Sequence, residues 1–237
     1  MGDFIMQYKL DTLKRYAEKC KIAMDEVQKD IGAYHVRVSY GNKKIGKTLN
    51  FNTLAIFGGC GGMCGKCGCY KYCYAIKDAM RFPAVLKSRA INTVLSVLDR
   101  GRYFAEISEQ IKRHESYRFI RFHVSGEIRD IDYLIHMVDI AKQFPERIFW
   151  TYTKQYGIVN AYCKAFGRDS IPDNFTIMFS EWDGYPMNNP YNFPVFHFIP
   201  KGNDIPNNVF ICPGNCDYCK QHNCGCVNGC TAYVHEH

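Results

Sequence analysis

The sequence predicts an α/β protein built as an incomplete (β/α) barrel, with one cysteine-rich loop in its N-terminal third and another at its C-terminus. Two observations carry that expectation. From residue 117 strand-like and helix-like segments alternate: YRFIRFHVSG (117–126), IDYLIHMVDIAKQF (131–144), RIFWTYTK (147–154), IVNAYCKAFG (158–167), FTIMFSEW (175–182). Helices of this length between strands imply β-α-β crossovers and a parallel sheet, and the units number too few for an eight-fold barrel. The second observation is that eleven of the 13 cysteines fall in two short loops, leaving only Cys20 and Cys163 apart.

In chain order, residues 3–31 read as a helix, because Leu10, Leu13, Tyr16, Ala17, Cys20 and Met24 recur at spacings of three and four. Gly32 ends it. YHVRVSY (34–40) alternates like a strand, GNKK turns, and TLNFNTLAIF (48–57) is its expected partner. After the first cysteine loop, YAIKDAM is a short helix, and Pro83 starts another that Gly101 should cap. Residues 102–114 continue helical. Asp130 is placed to cap the helix that follows strand 117–126. VFHFIP (195–200) is a further strand, and VFIC (209–212) leads into the second cysteine loop. This divides the chain into a helix and hairpin (1–57), the partial barrel with the first cysteine cluster (58–211), and a cysteine-rich tail (212–237).

Composition suits a folded globule: 237 residues, 47% hydrophobic and 15% aromatic, support a sizeable core. The N-terminus carries charges every few residues, and no stretch reaches the roughly 20 apolar residues of a membrane span. The expectation is a cytoplasmic protein with no membrane contact. The formal net charge of +7 counts thiols as neutral. A cubane iron–sulfur cluster on four thiolates carries roughly −2, so two would offset much of it. A nucleic-acid partner stays open, although charge alone does not call for one.

The first loop, GGCGGMCGKCGCYKYCYA, holds Cys60, Cys64, Cys67, Cys69 and Cys73 within fourteen residues. The second, CPGNCDYCKQHNCGCVNGC, holds Cys212, Cys216, Cys219, Cys224, Cys226 and Cys230. Thiols two to four residues apart project sulfur toward a common centre, which suits zinc or an iron–sulfur cluster. The glycines between them relieve backbone strain where a loop wraps an inorganic core. Disulfides are the competing reading; they need an oxidising compartment, and an odd total leaves one thiol over. Burial as small apolar residues accounts for Cys20 and Cys163, not for eleven clustered cysteines. Cys212-x3-Cys216-x2-Cys219 repeats the spacing of Cys60-x3-Cys64-x2-Cys67. His222 could join zinc in the second loop; His235 and His237 read as ligands, a cloning remnant or a frayed end.

The ordered set CYA (73–75), RFPAV (81–85), RFHVSGEI (121–128), TYTK (151–154) and a cysteine-rich tail with a terminal His resembles the phage gene product 88 family. That family is similar in turn to radical-SAM enzymes, in which three cysteines hold a four-iron cluster whose free iron binds S-adenosylmethionine. The resemblance implies a radical-SAM-like partial barrel and 4Fe-4S clusters. Lys66 precedes Cys67 where those enzymes carry an aromatic residue; Tyr72 before Cys73 fits better. Cys69 and Cys73, with Cys60, Cys64 or Cys67, are then the ligands that the resemblance implies. Ser125-Gly126-Glu127 resembles the segment that contacts the amino group of S-adenosylmethionine. The plainer reading of Glu127 is a solvated carboxylate starting a helix. The tail resembles the auxiliary clusters of radical-SAM proteins.

An open iron needs three thiolates, and the surplus argues for closed clusters. The expectation is therefore an iron–sulfur protein of redox character that exchanges electrons with a donor or acceptor protein. A radical S-adenosylmethionine enzyme acting on a small molecule or peptide, and a structural zinc protein, are the alternatives. His123 and His197 are expected as core histidines, Tyr70, Tyr72 and Tyr74 as packing or cluster shielding, and GYPMNNPYNFP (184–194) as a loop on the ligand side of the sheet.

Overall fold

The computed structural model describes residues 2–60, 68–182, 184–199 and 203–235. Its strands are β1 (Val38–Tyr40), β2 (Leu49–Phe51), β3 (Phe119–Phe122), β4 (Ile148–Thr153), β5 (Phe175–Ser180), β6 (Val195–Ile199) and β7 (Ala232–His235). The helices are α1 (Gly2–Lys29), α2 (Tyr74–Arg81), α3 (Pro83–Leu98), α4 (Arg100–Arg113), α5 (Ile131–Gln143), α6 (Tyr156–Phe166) and α7 (Cys216–Gln221). The seven strands form one sheet in sequential order; β1 pairs antiparallel with β2, and every later pair is parallel. The architecture is thus mixed α/β, with the hydrogen-bonded order running from β1 to β7 and no closing pair among the described residues.

Both sheet faces are covered, as a parallel sheet requires. One face sends Leu49, Phe51, Ile120, Phe122, Phe149, Ile177 and Phe179 into the main core with α3, α4, α5 and α6. The other face is packed by the tail: Trp150 joins Cys219 and Val227, and Met178 joins Cys226 and Ala232. Adjacent residues Phe149 and Trp150 are both fully buried because their side chains enter opposite layers. Each such aromatic contributes about 1.5–3 kcal/mol of apolar burial.

Local chemistry explains most boundaries. Asp130 caps α5 by accepting from the Tyr133 amide at 2.8 Å, as its position implied. Gly101 does not end a helix. Asp99 leaves helical geometry at φ −145°, closes α3 and accepts from the Arg102 amide, so Gly101 sits inside the first turn of α4. A carboxylate that caps the following helix made the glycine stop unnecessary. Along α1 the buried stripe is Tyr16, Cys20 and Val27 with Leu13 and Met24 partly covered, whereas Leu10 is 51% exposed. The expected strands 34–40 and 48–57 shorten to three residues each, because the chain turns after Phe51 into the loop that carries Cys60.

The tail is more ordered than its sequence suggested. Asn215 caps α7 through the Asp217 and Tyr218 amides, and residues 232–235 add a parallel strand to β6, where the sequence reading left a terminus. Cys212 N donates to Tyr233 O at 2.8 Å and Tyr233 N to Phe210 O at 2.9 Å, which extends the pairing to VFIC. Lys220 is buried and donates from Nζ to Ile45 O and Thr48 Oγ1, both at 2.6 Å, fastening α7 to the β1–β2 connection. No helix among the described residues is long and apolar enough to cross a membrane.

Candidate functional site

The first cysteine loop leaves the C-terminal end of β2, where ligand sites of open parallel sheets form. It is held by the turns after β3 and β4. Glu127 N donates to Gly58 O (2.9 Å), Arg129 donates to Phe57 O (2.7 Å), and Gln155 donates to Gly59 O (2.8 Å). Gly126 makes this contact sterically feasible: it adopts φ +97°, and a Cβ there would stand 1.8 Å from Thr53 Oγ1. Ser125 Oγ donates to Thr53 O at 2.8 Å, closing the seam. The glycine-rich sequence therefore serves backbone-on-backbone packing as well as any wrapping of a metal core.

This seam walls a cavity of about 630 Å³, which is within the range of small-molecule sites. Cys60, Cys69 and Cys73 line it from the first loop, Cys212 and Cys216 from the second, and Ser125, Gly126 and Glu127 from between. Two loops about 140 positions apart in sequence are thus brought to one space. A second, smaller void of about 20 Å³ is lined by Cys212, Cys216, Cys219 and Cys226 beside Trp150 and Tyr152. Cys64 and Cys67 lie outside the described residues. Cys224 packs beside Cys219, with its amide donating to Cys219 O at 3.1 Å, and Cys230 is partly exposed beyond it.

All eleven described cysteines are free thiols. Among the described residues no three His, Cys, Asp or Glu side chains gather closely enough to ligate one ion, so the thiols surround spaces rather than closing a coordination shell. Burial holds Cys73 and Cys216 above the ordinary thiol range. Burial also pushes Cys226 up to about 12, against a hydrogen bond with Tyr152. Cys219 reaches about 12 through burial and the neighbouring Cys224. Cys60 Sγ accepts the Ile56 amide at 2.7 Å.

Glu127 is not the solvated carboxylate of the plainer reading. It is 6% exposed and accepts from the Lys154 amide at 2.7 Å and the Ile128 amide at 3.2 Å; burial nevertheless pushes it up to about 7. His123 stands in the cavity wall with an unusual φ of +60°. Its ring bonds Tyr133 Oη at 3.0 Å, and burial pushes it down to about 3, so it is neutral. Backbone strain at a cavity wall is where binding sites store it.

Other expected residues fall elsewhere. His222 is exposed and stacks on Tyr218, and it lines neither cavity. His197 pairs with Glu181 at 2.6 Å and stacks on Tyr233. The 184–194 loop places Phe193 against Phe179 over the main core rather than on the cavity. Tyr70 and Tyr74 do line the cavity, and Tyr74 Oη donates to Val124 O. Sequence reasoning missed Arg121, Tyr152 and Lys154, which also line it. The alternation of FIRF was the available signal: Arg121 occupies the face opposite Ile120 and Phe122.

The model of the family described as gene product 88 matches residues 38–189. The match takes in β1 through the loop after β5, hence the first cysteine loop and residues 125–127, and stops short of the tail. No curated protein and no solved structure matches the chain.

Proposed function

The chain belongs to the gene product 88 family, and from that premise we propose that it is an iron–sulfur protein of redox character whose two cysteine loops serve one cavity. The observation supporting this reading is that Cys60, Cys69 and Cys73 share a cavity wall with Cys212 and Cys216. The donor chemistry fits: five thiols of one wall, with aromatic side chains beside them. In the tail, Cys212, Cys216, Cys219 and Cys226 are the four thiols that would close one cluster. In the first loop, Cys69 and Cys73 with Cys60, Cys64 or Cys67 would hold another. A bound cluster supplies one-electron transfer at a potential tuned by burial and by hydrogen bonds to sulfur.

A radical S-adenosylmethionine enzyme is the second reading. It is favoured by Ser125, Gly126 and Glu127 standing in the same wall as Cys60, Cys69 and Cys73. A buried carboxylate beside an open iron suits the ammonium of that cofactor. Structural zinc in the tail is the third, with four thiols and without His222.

Anaerobically prepared protein tests these readings. Iron and acid-labile sulfide in several-fold molar excess are expected. Colourless protein with stoichiometric zinc would overturn the iron–sulfur reading. Perturbation of the reduced EPR spectrum by S-adenosylmethionine, with 5′-deoxyadenosine formed, would select the enzyme; neither effect leaves an electron carrier.

A further inference from the structure

The charges lining the shared cavity do not balance. Arg121, Lys44 and Lys154 all contribute to its wall, and none of them forms an ion pair among the described residues. Glu127 is the one carboxylate among the described lining residues, and its oxygens already accept two backbone amides. Lys154 is anchored by a 2.9 Å bond to Ser180 Oγ and sits over Trp182. Arg121 differs: its Nε is buried and makes no hydrogen bond, while its guanidinium lies 4.8 Å from the Tyr152 ring centroid. Its terminal nitrogens carry no hydrogen bond or ion pair among the described residues, and a guanidinium held over an aromatic ring can receive carboxylate or phosphate through them.

We propose that the cavity between the two cysteine loops binds a small organic oxyanion, a carboxylate or phosphate, anchored by Arg121 with Lys44 beside it. Tyr74, Tyr152, Phe196 and Phe198 line the same space and suit an aromatic or apolar body behind the charged head. The oxyanion site goes beyond the iron–sulfur reading and stands without it, because the cations belong to the wall itself. Lys44 O accepts the Cys216 amide at 2.9 Å, which fixes this rim to the second cysteine loop.

The test is calorimetric titration with benzoate, with benzamide as its neutral isostere, and with inorganic phosphate, on protein whose iron and zinc are measured in the same preparation. Saturable benzoate or phosphate binding is expected, with benzamide weaker by about tenfold or more, the equivalent of one charged hydrogen bond. Arg121→Met should lose about tenfold or more in oxyanion affinity, and Arg121→Lys should keep part of it. Lys87→Met, which removes an exposed pair with Glu26 and a contact with the Tyr34 ring, neither of them in the cavity lining, should change nothing. Should Arg121→Met fail to fold by circular dichroism, Lys44→Met supplies the same comparison. Equal affinity for benzoate and benzamide, absence of oxyanion binding, or unchanged affinity in a folded Arg121→Met protein would overturn the proposal. So would a variant that loses metal yet binds the oxyanion as before, since Arg121 would then only balance cluster charge. Binding without iron would leave this proposal standing and remove only the iron–sulfur reading.

Discussion

Replacing Glu127 with glutamine should flatten one limb of the stability–pH curve. Glu127 is 6% exposed, and burial raises it from the ordinary 4.5 to about 7. The folded protein therefore holds this proton more tightly than the unfolded chain does. The group's contribution is fully present below the unfolded value and is lost as pH rises through the folded one. At 1.36 kcal/mol per unit, the wild-type protein should lose about 2–3 kcal/mol from this residue between about pH 5 and about pH 8. Glutamine cannot titrate. It also turns an N–H toward the Lys154 or Ile128 amide, both of which now donate to the carboxylate. That mismatch lowers stability by an amount independent of pH, so the slope and not the absolute value is the readout. Urea unfolding across this pH range, at matched metal content, measures it. Were Glu127→Gln to keep the wild-type slope, the carboxylate would not be the group responsible, and the reasoning about its burial would fail.

Other perturbations give separable outcomes. His123, ordinarily 6.5, is pushed down to about 3, so its contribution is present above 6.5 and lost as pH falls toward 3; His123→Gln should flatten acid unfolding monitored by circular dichroism. Lys220→Met leaves Ile45 O and Thr48 Oγ1 without their 2.6 Å donor and should cost about 3 kcal/mol. The released tail should be cleaved faster in limited proteolysis while 131–166 stays protected. Gly126→Ala meets Thr53 Oγ1 at 1.8 Å from a left-handed backbone, and should lower stability by about 2 kcal/mol or more in the same urea assay. Asp130→Ala removes the α5 cap and both arms of the Arg100 pair, for a loss of about 1–2 kcal/mol in thermal unfolding.

The strands and helices from Ile120 to Phe179 were legible because the chain alternates period 2 with period 3.6 there and Asp130 marks a helix start. Parallel pairing followed from crossover length. The tail was not legible. AYVH is four residues whose pairing partner lies 36 positions upstream, a contact that no local pattern encodes. Nor does FIRF reveal that its arginine faces a covered layer, since an arginine in a strand ordinarily points to water. The covering comes from Val227 with Cys219 and Cys226, and the two cysteines, read as metal ligands, also pack as core. Glu127 looked solvated for the same reason: the glycine-rich loop that buries it arrives from 69 residues earlier, through the Gly58 contact with its amide. Thiol spacing located both cysteine loops but could not say that they open onto one cavity.

An anomalous-difference map recorded on either side of the iron absorption edge tests the central claim most directly. The account predicts two iron peaks, one in the shared cavity against Cys69, Cys73 and a third thiol of the first loop, and one in the adjoining smaller void against Cys212, Cys216, Cys219 and Cys226. Peaks appearing only at the zinc edge, or the same sulfurs joined as cystines with no metal between them, would contradict it.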